Sequence, residues 1–159
     1  MKPLVLGLGN DLLGDDGIGI HTARRLAGEL SDVADVVESS LHGVALMDLL
    51  IGYEKAVIID AITTDRHPSG TILELSPDDF RPAISPSPHY TGLPDMIRIA
   101  RELQIDFPKE IRIIAVEIAD ASTVGGPMSP PVAAAMDELC RRAIALVRTW
   151  AEDDNSGQD

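Results

Sequence analysis

A three-layer α/β/α sandwich around a twisted, mostly parallel sheet of about five strands is the fold that this sequence predicts. Two observations carry that expectation. Short, nearly continuous apolar runs, Leu4 to Leu8, Ala56 to Ile59 and Ile111 to Val116, have the pattern of strands buried on both faces. Between them lie stretches whose apolar residues recur at helical spacing, as helices covering a parallel sheet should. At 159 residues the chain has the size of one domain, and no stretch inside it reads as a linker.

The first strand breaks at Gly9 and Asn10. After Asp15-Asp16-Gly17, residues Ile18, Ile20, Ala23, Leu26 and Leu30 predict a helix that starts near Gly17 with an aspartate at or beside its N-cap. Val33 to Ser39 reads as a short second strand, and Val44 to Ile51 as a short apolar helix. Ala56-Val57-Ile58-Ile59 is a central strand that ends on a carboxylate, Asp60. Thr71 to Leu75, bounded by Ser69-Gly70 and Ser76-Pro77, suits an edge strand.

Pro77, Pro82, Pro86, Pro88 and Pro94 exclude any long regular element from Ser76 to Pro94. That stretch is a long loop, and long loops in compact domains are often functional. Pro94 stands in the first turn of a helix carrying Met96, Ile97, Ile99, Ala100 and Leu103. Ile111 to Ile118 is a further strand, and Ala119 to Ser129 a second, mobile-looking loop around Gly125-Gly126-Pro127. Pro130 or Pro131 opens a last helix that runs to Trp150. Residues 1–150 are then the folded domain, and the polar end with Glu152, Asp153, Asp154 and Asp159 reads as a disordered acidic tail over 151–159.

Thirteen Lys and Arg against 26 Asp and Glu leave a formal charge of −13. That balance excludes a protein tracking nucleic-acid phosphates and disfavours an anionic membrane surface. The lone cysteine, Cys140, can form no internal disulfide, and the apolar run before Gly7 is too short for a signal peptide. No stretch has the length needed to span a bilayer. A soluble protein of a reducing compartment, the cytoplasm, is expected.

Ligand sites in this architecture gather beyond the carboxyl ends of the strands. That rule selects the loop after the first strand, the Asp60 corner and the loops reaching over the same edge. Gly7-Leu8-Gly9-Asn10 followed by Asp15-Asp16-Gly17-Ile18-Gly19 does not have the spacing of a dinucleotide fingerprint, and paired carboxylates at a helix start would repel a phosphate. Either aspartate can cap the helix, but one cap needs one carboxylate. Asp16, directly before the Gly17 turn, is the one expected to point into the cleft.

The ordinary reading of Asp60 is a turn-capping aspartate, against which stands its place at the end of a central strand. His89 lies in Ser85-Pro86-Ser87-Pro88-His89-Tyr90-Thr91-Gly92, where prolines restrict the backbone, although a lone loop histidine is usually only solvated. Asp16, Asp60 and His89 together make a two-carboxylate, one-imidazole set that suits nickel, zinc or iron with positions left open. His21, His42 and His67 are weaker candidates, and Cys140 reads as a buried, inert thiol among apolar residues. No Cys and His pattern has the spacing of a structural zinc site, and no Gly-x-Ser-x-Gly elbow is present.

Leu6-Gly7-Leu8-Gly9-Asn10 with Leu12-Leu13-Gly14-Asp15-Asp16-Gly17-Ile18-Gly19, then Ile58-Ile59-Asp60-Ala61, then Ser87-Pro88-His89-Tyr90-Thr91-Gly92-Leu93, resemble in order and separation the three motifs of the hydrogenase maturation endopeptidases. The resemblance spans roughly residues 1 to 150. It implies an aspartic-type endopeptidase that removes a C-terminal extension from the large-subunit precursor of a nickel-containing hydrogenase. It also implies that Asp16, Asp60 and His89 bind metal, with Asp16 and Asp60 as the catalytic acids. The nickel is expected to be that of the precursor, with zinc or cadmium able to substitute. Gly43, in Leu41-His42-Gly43-Val44, resembles a glycine region of the family and is expected with Asn10 to line the substrate cleft. A monomer suits an enzyme that docks transiently on a larger substrate. Two rival readings are a non-catalytic nickel chaperone or adaptor, which shares the ligands, and a peptidyl-tRNA hydrolase-like enzyme. The second would need a basic cleft and an early catalytic histidine, neither of which this chain offers.

Overall fold

Leu4–Leu8, five residues all buried, form β1, because a run with no polar side chain is stable only where both faces are covered. The computed structural model describes residues 1–79 and 93–157. After β1 a loop closes in a 3-10 turn, Gly14–Gly17, and leads into α1, Ile18–Glu29. Then follow β2 (Asp35–Ser39), α2 (Ala45–Leu50), β3 (Lys55–Ile62), β4 (Ile72–Leu75), α3 (Leu93–Glu102), β5 (Glu110–Glu117) and α4 (Pro130–Ser156).

The sheet order is β2-β1-β3-β5-β4. Neighbours run parallel except β4, which pairs antiparallel with β5 at the edge. The chain moves from β1 outward to β2 and then crosses back to β3 on β1's other side. That reversal places a topological switch point between β1 and β3, where open α/β sheets form their ligand crevice.

Alternation along each strand divides the core. Val5, Val57, Ile59 and Val116 pack with α1 and α4, while Leu6, Ile58, Ile62 and Ile113 pack with α2 and α3. Each fully buried Leu or Ile contributes roughly 1.5–3 kcal/mol, so these two apolar layers hold the sandwich without aromatic residues in quantity. α1 lies closest to the sheet. At Gly19 a β-carbon would sit 2.2 Å from the Leu8 carbonyl oxygen and 2.4 Å from that of Ile59, so only glycine lets the first turn of α1 rest on the ends of β1 and β3 together.

α1 starts with Asp16 beside its N-cap, as expected, but the N-cap residue itself is Gly17, with no side-chain cap bond, and Asp15 and Asp16 lie in the 3-10 turn before it. Residues 151–156 are not the disordered tail expected, because α4 continues to Ser156. Lys55 Nζ donates to Asp154 Oδ1 at 2.7 Å, which ties that last stretch back to the start of β3. Among the described residues, no helix is long and apolar enough to cross a membrane.

Candidate active site

The parallel register pairs Gly7 with Ile59, so the chain leaves β1 beside Asp60 on β3. The loop that follows folds back on itself. Gly9 has φ +147°, and a β-carbon there would lie 2.1 Å from the Asp16 carbonyl oxygen, a close approach that only glycine allows. The Asn10 N–H donates to Asp16 Oδ2 at 3.1 Å, and Asn10 Oδ1 accepts from Leu12 N–H at 3.0 Å. Asp16 is therefore half-buried and held by the loop that carries it. Gly19 rests on Ile59, so the turn that carries Asp16 and the Asp60 corner both lie near the carboxyl ends of β1 and β3, at the switch point.

Asp60 has no exposed surface. Its place in the alternation puts it on the α2 and α3 side with Ile58 and Ile62, and its Oδ1 accepts from the Ala61 N–H at 2.8 Å. A buried carboxylate costs several kcal/mol unless hydrogen bonds or a positive charge compensate it. His89 lies outside the described residues. Among the described residues, no three His, Cys, Asp or Glu side chains gather as a group that could hold a metal.

Glu117, which sequence reasoning passed over, is a second buried acid on this edge, 2% exposed. It ends β5 opposite Ile62, two residues beyond the partner of Asp60 and on the same face. Thr64 donates to it twice, through its N–H at 2.8 Å and through its hydroxyl. The signal was available, because Glu117 closes an apolar run as Asp60 does.

Asp15 is turned away from the role expected of it. Its two oxygens accept from the N–H and the hydroxyl of Ser129, at 2.6 and 2.7 Å, and Ser129 is the N-cap residue of α4. The loop from 119 to 129 is further tied by the Gly125 N–H to the Leu12 carbonyl at 2.7 Å. Within it the Thr123 hydroxyl, then the N–H and hydroxyl of Ser122, hold the Asp120 carboxyl well below its usual range, at about 2. A cleft of about 290 Å³ runs between the two loops, lined by Leu13, Asp15, Ser69, Asp120 and Ser129. A larger hollow of about 660 Å³, between α3 and the start of β5, lies at the opposite end of β5 from Glu117.

Gly43 stands at φ +60°, and its carbonyl accepts from Leu46 N–H at 3.1 Å as α2 begins. It follows the end of β2 on the same edge, with open space where a side chain would be. His42 beside it is exposed. Cys140 is 3% exposed within α4, and burial pushes its thiol pKa up.

A family model for hydrogenase maturation proteases matches residues 20–146. The hydrogenase expression/formation protein HupD of Rhodobacter capsulatus is 30% identical over 161 residues, covering 98% of this chain and 76% of its own. The hydrogenase 2 maturation protease of Escherichia coli K12 is 29% identical over 153 residues, covering 93% and 92%. Among solved structures, the hydrogenase maturating endopeptidase HybD from E. coli superimposes with a TM-score of 0.77 at 27% identity, over 94% of this chain and 93% of that one. The [NiFe] hydrogenase maturation protease HybD from Thermococcus kodakarensis gives 0.72 at 27% identity, over 92% and 99%.

Proposed function

The chain belongs to the hydrogenase maturation protease family, and from that membership we propose that it is an endopeptidase that removes the C-terminal extension from the large-subunit precursor of a nickel-containing hydrogenase once nickel is in place. The observation that carries this reading is Asp60, a carboxylate without exposed surface near the carboxyl end of the central strand β3, at the switch point where the loop carrying Asp16 leaves β1.

The nickel belongs to the substrate. Asp16, Asp60 and His89 supply oxygen and nitrogen donors to it, a set with room for the precursor's own ligands. Cleavage then depends on metal loading, since an empty precursor lacks the group that these residues bind. Asp16 or Asp60 takes the proton of the attacking water as it adds to the scissile carbonyl, which makes the chemistry aspartic-type. Cys140 is sealed within α4 and is no nucleophile. The turn at Gly43 and the loop at Asn10 border the path of the extension. The enzyme works as a monomer in the cytoplasm, where the precursor is assembled.

The test is incubation of purified protein with nickel-loaded precursor, read as a mass loss at the precursor's C-terminus. Asp16→Ala, Asp60→Ala and His89→Ala are each expected to abolish that loss with the circular dichroism spectrum unchanged. Full processing by all three variants would refute the site, and binding without cleavage by the wild type would favour a non-catalytic adaptor.

A further inference from the structure

Leu12 is 68% exposed and Val124 is 78% exposed. They are far apart in sequence, yet the Gly125 N–H bonds to the Leu12 carbonyl at 2.7 Å, so Val124 and Leu12 stand on backbone segments in direct contact. Single exposed apolar residues are ordinary. Two of them on loops that are tied together, beside the cleft lined by Leu13, Thr123 and Gly125, offer an apolar pair that a partner can cover.

The loops beneath them are pre-organised. Asn10 Oδ1 holds Leu12 N–H at 3.0 Å, Asp15 clamps Ser129, and Asp120 gathers Ser122 and Thr123. A partner that lands here therefore orders little chain on the enzyme side, which leaves more of the contact energy as affinity. The charge beside the pair is negative. Asp15 and Asp120 both accept hydrogen bonds from neutral groups, and among the described residues neither has a cationic partner within 4.0 Å. Asp120 stays ionised down to a pH of about 2.

From this we infer that Leu12 and Val124 form a docking knob for the hydrogenase precursor, engaging a segment of it that sets apolar side chains beside Lys or Arg. The inference rests on the protease reading. The knob adjoins the loop that carries Asp16, so a segment held on it enters the crevice from the β1 side. Its contribution is uniform binding, which appears in KM and leaves kcat alone.

The experiment compares wild type with Leu12→Ser/Val124→Ser on nickel-loaded precursor, with steady-state kinetics and biolayer interferometry at low and high NaCl. Both side chains are largely exposed, and thermal melting checks that the double variant remains folded. The expected result is a KM and a Kd raised about tenfold, the scale of losing one strong interface anchor, with kcat within about twofold. Wild-type Kd should also weaken as salt rises, since the partner's cations face Asp15 and Asp120. A double variant with unchanged KM and Kd, or a wild-type Kd indifferent to salt, overturns the docking knob while wild-type cleavage leaves the protease reading standing. A wild type that neither binds nor cleaves the precursor overturns both.

Discussion

Asp15 accepts two hydrogen bonds from Ser129, one from the backbone N–H at 2.6 Å and one from the hydroxyl at 2.7 Å, and so joins the loop after β1 to the first turn of α4. Ser129, the N-cap residue of α4, makes no side-chain cap bond of its own; its hydroxyl donates to Asp15. The carboxylate holds the N-cap residue and sets a negative charge near the positive end of a 27-residue helix. Asp15→Ala is therefore expected to destabilise the fold by about 1–3 kcal/mol, the range for hydrogen bonds to a charged group. Urea denaturation checks the value, and amide exchange at Ser129 and Gly125 should rise with it. Wild-type exchange in the variant would show that the two loops are held by something else.

Gly19 and Gly28 both lie in α1, and alanine should act on them with opposite sign. At Gly28 no atom lies within 4 Å of the added carbon, so helix propensity governs and Gly28→Ala is expected to stabilise by about 0.5–1 kcal/mol. At Gly19 two backbone oxygens stand within 2.4 Å of it. The clash exceeds the propensity gain, and Gly19→Ala is expected to destabilise by about 1–3 kcal/mol as α1 lifts from the sheet. Denaturation midpoints for the pair decide it; equal shifts would mean that α1 does not seat on Leu8 and Ile59.

Glu117 organises the turn that follows the Asp60 strand. Removing it leaves the Thr64 N–H without its acceptor, and Arg66 N–H bonds in turn to the Thr64 hydroxyl at 3.2 Å. Glu117→Ala is expected to cost about 1–3 kcal/mol, while Glu117→Gln, which keeps an acceptor for that N–H, should cost much less. Exchange at the Thr64 amide distinguishes them, with fast exchange in the Ala variant alone. Equal protection in both would assign the turn's order to other contacts.

The turn around Asp120 should persist in acid. Its carboxyl is held at about 2, below the ordinary 3.8, so its preference for the folded turn is complete above the ordinary value and is lost as pH falls through about 2. A carboxyl-carbon NMR titration of Asp120 measures this directly. A midpoint near the ordinary value would show that Thr123 and Ser122 do not hold it.

The buried strands and their order of appearance were legible in the chain, because a segment covered on both faces has to be apolar throughout. So was Asp60, whose polarity interrupts such a run at its carboxyl end. Glu117 sends the same signal at the end of β5, but it lies outside the three motifs that drew attention to the other acids. Asp15 was misread for a different reason: capping is sought within a few residues, whereas Asp15 finds its partner 114 positions away. The acidic end was taken for a tail on composition, and Lys55 gives Asp154 a partner that composition cannot reveal.

By itself, then, the sequence determined which segments are strands and helices, since burial and periodicity are local properties that each segment carries wherever it is placed. Only the tertiary structure decided that β1 and β3 lie side by side, that Asp15 serves α4 rather than α1, and that Leu12 meets the loop of Val124. Those are contacts between residues far apart in the chain, and they are set by strand register and loop crossing, which no single segment encodes.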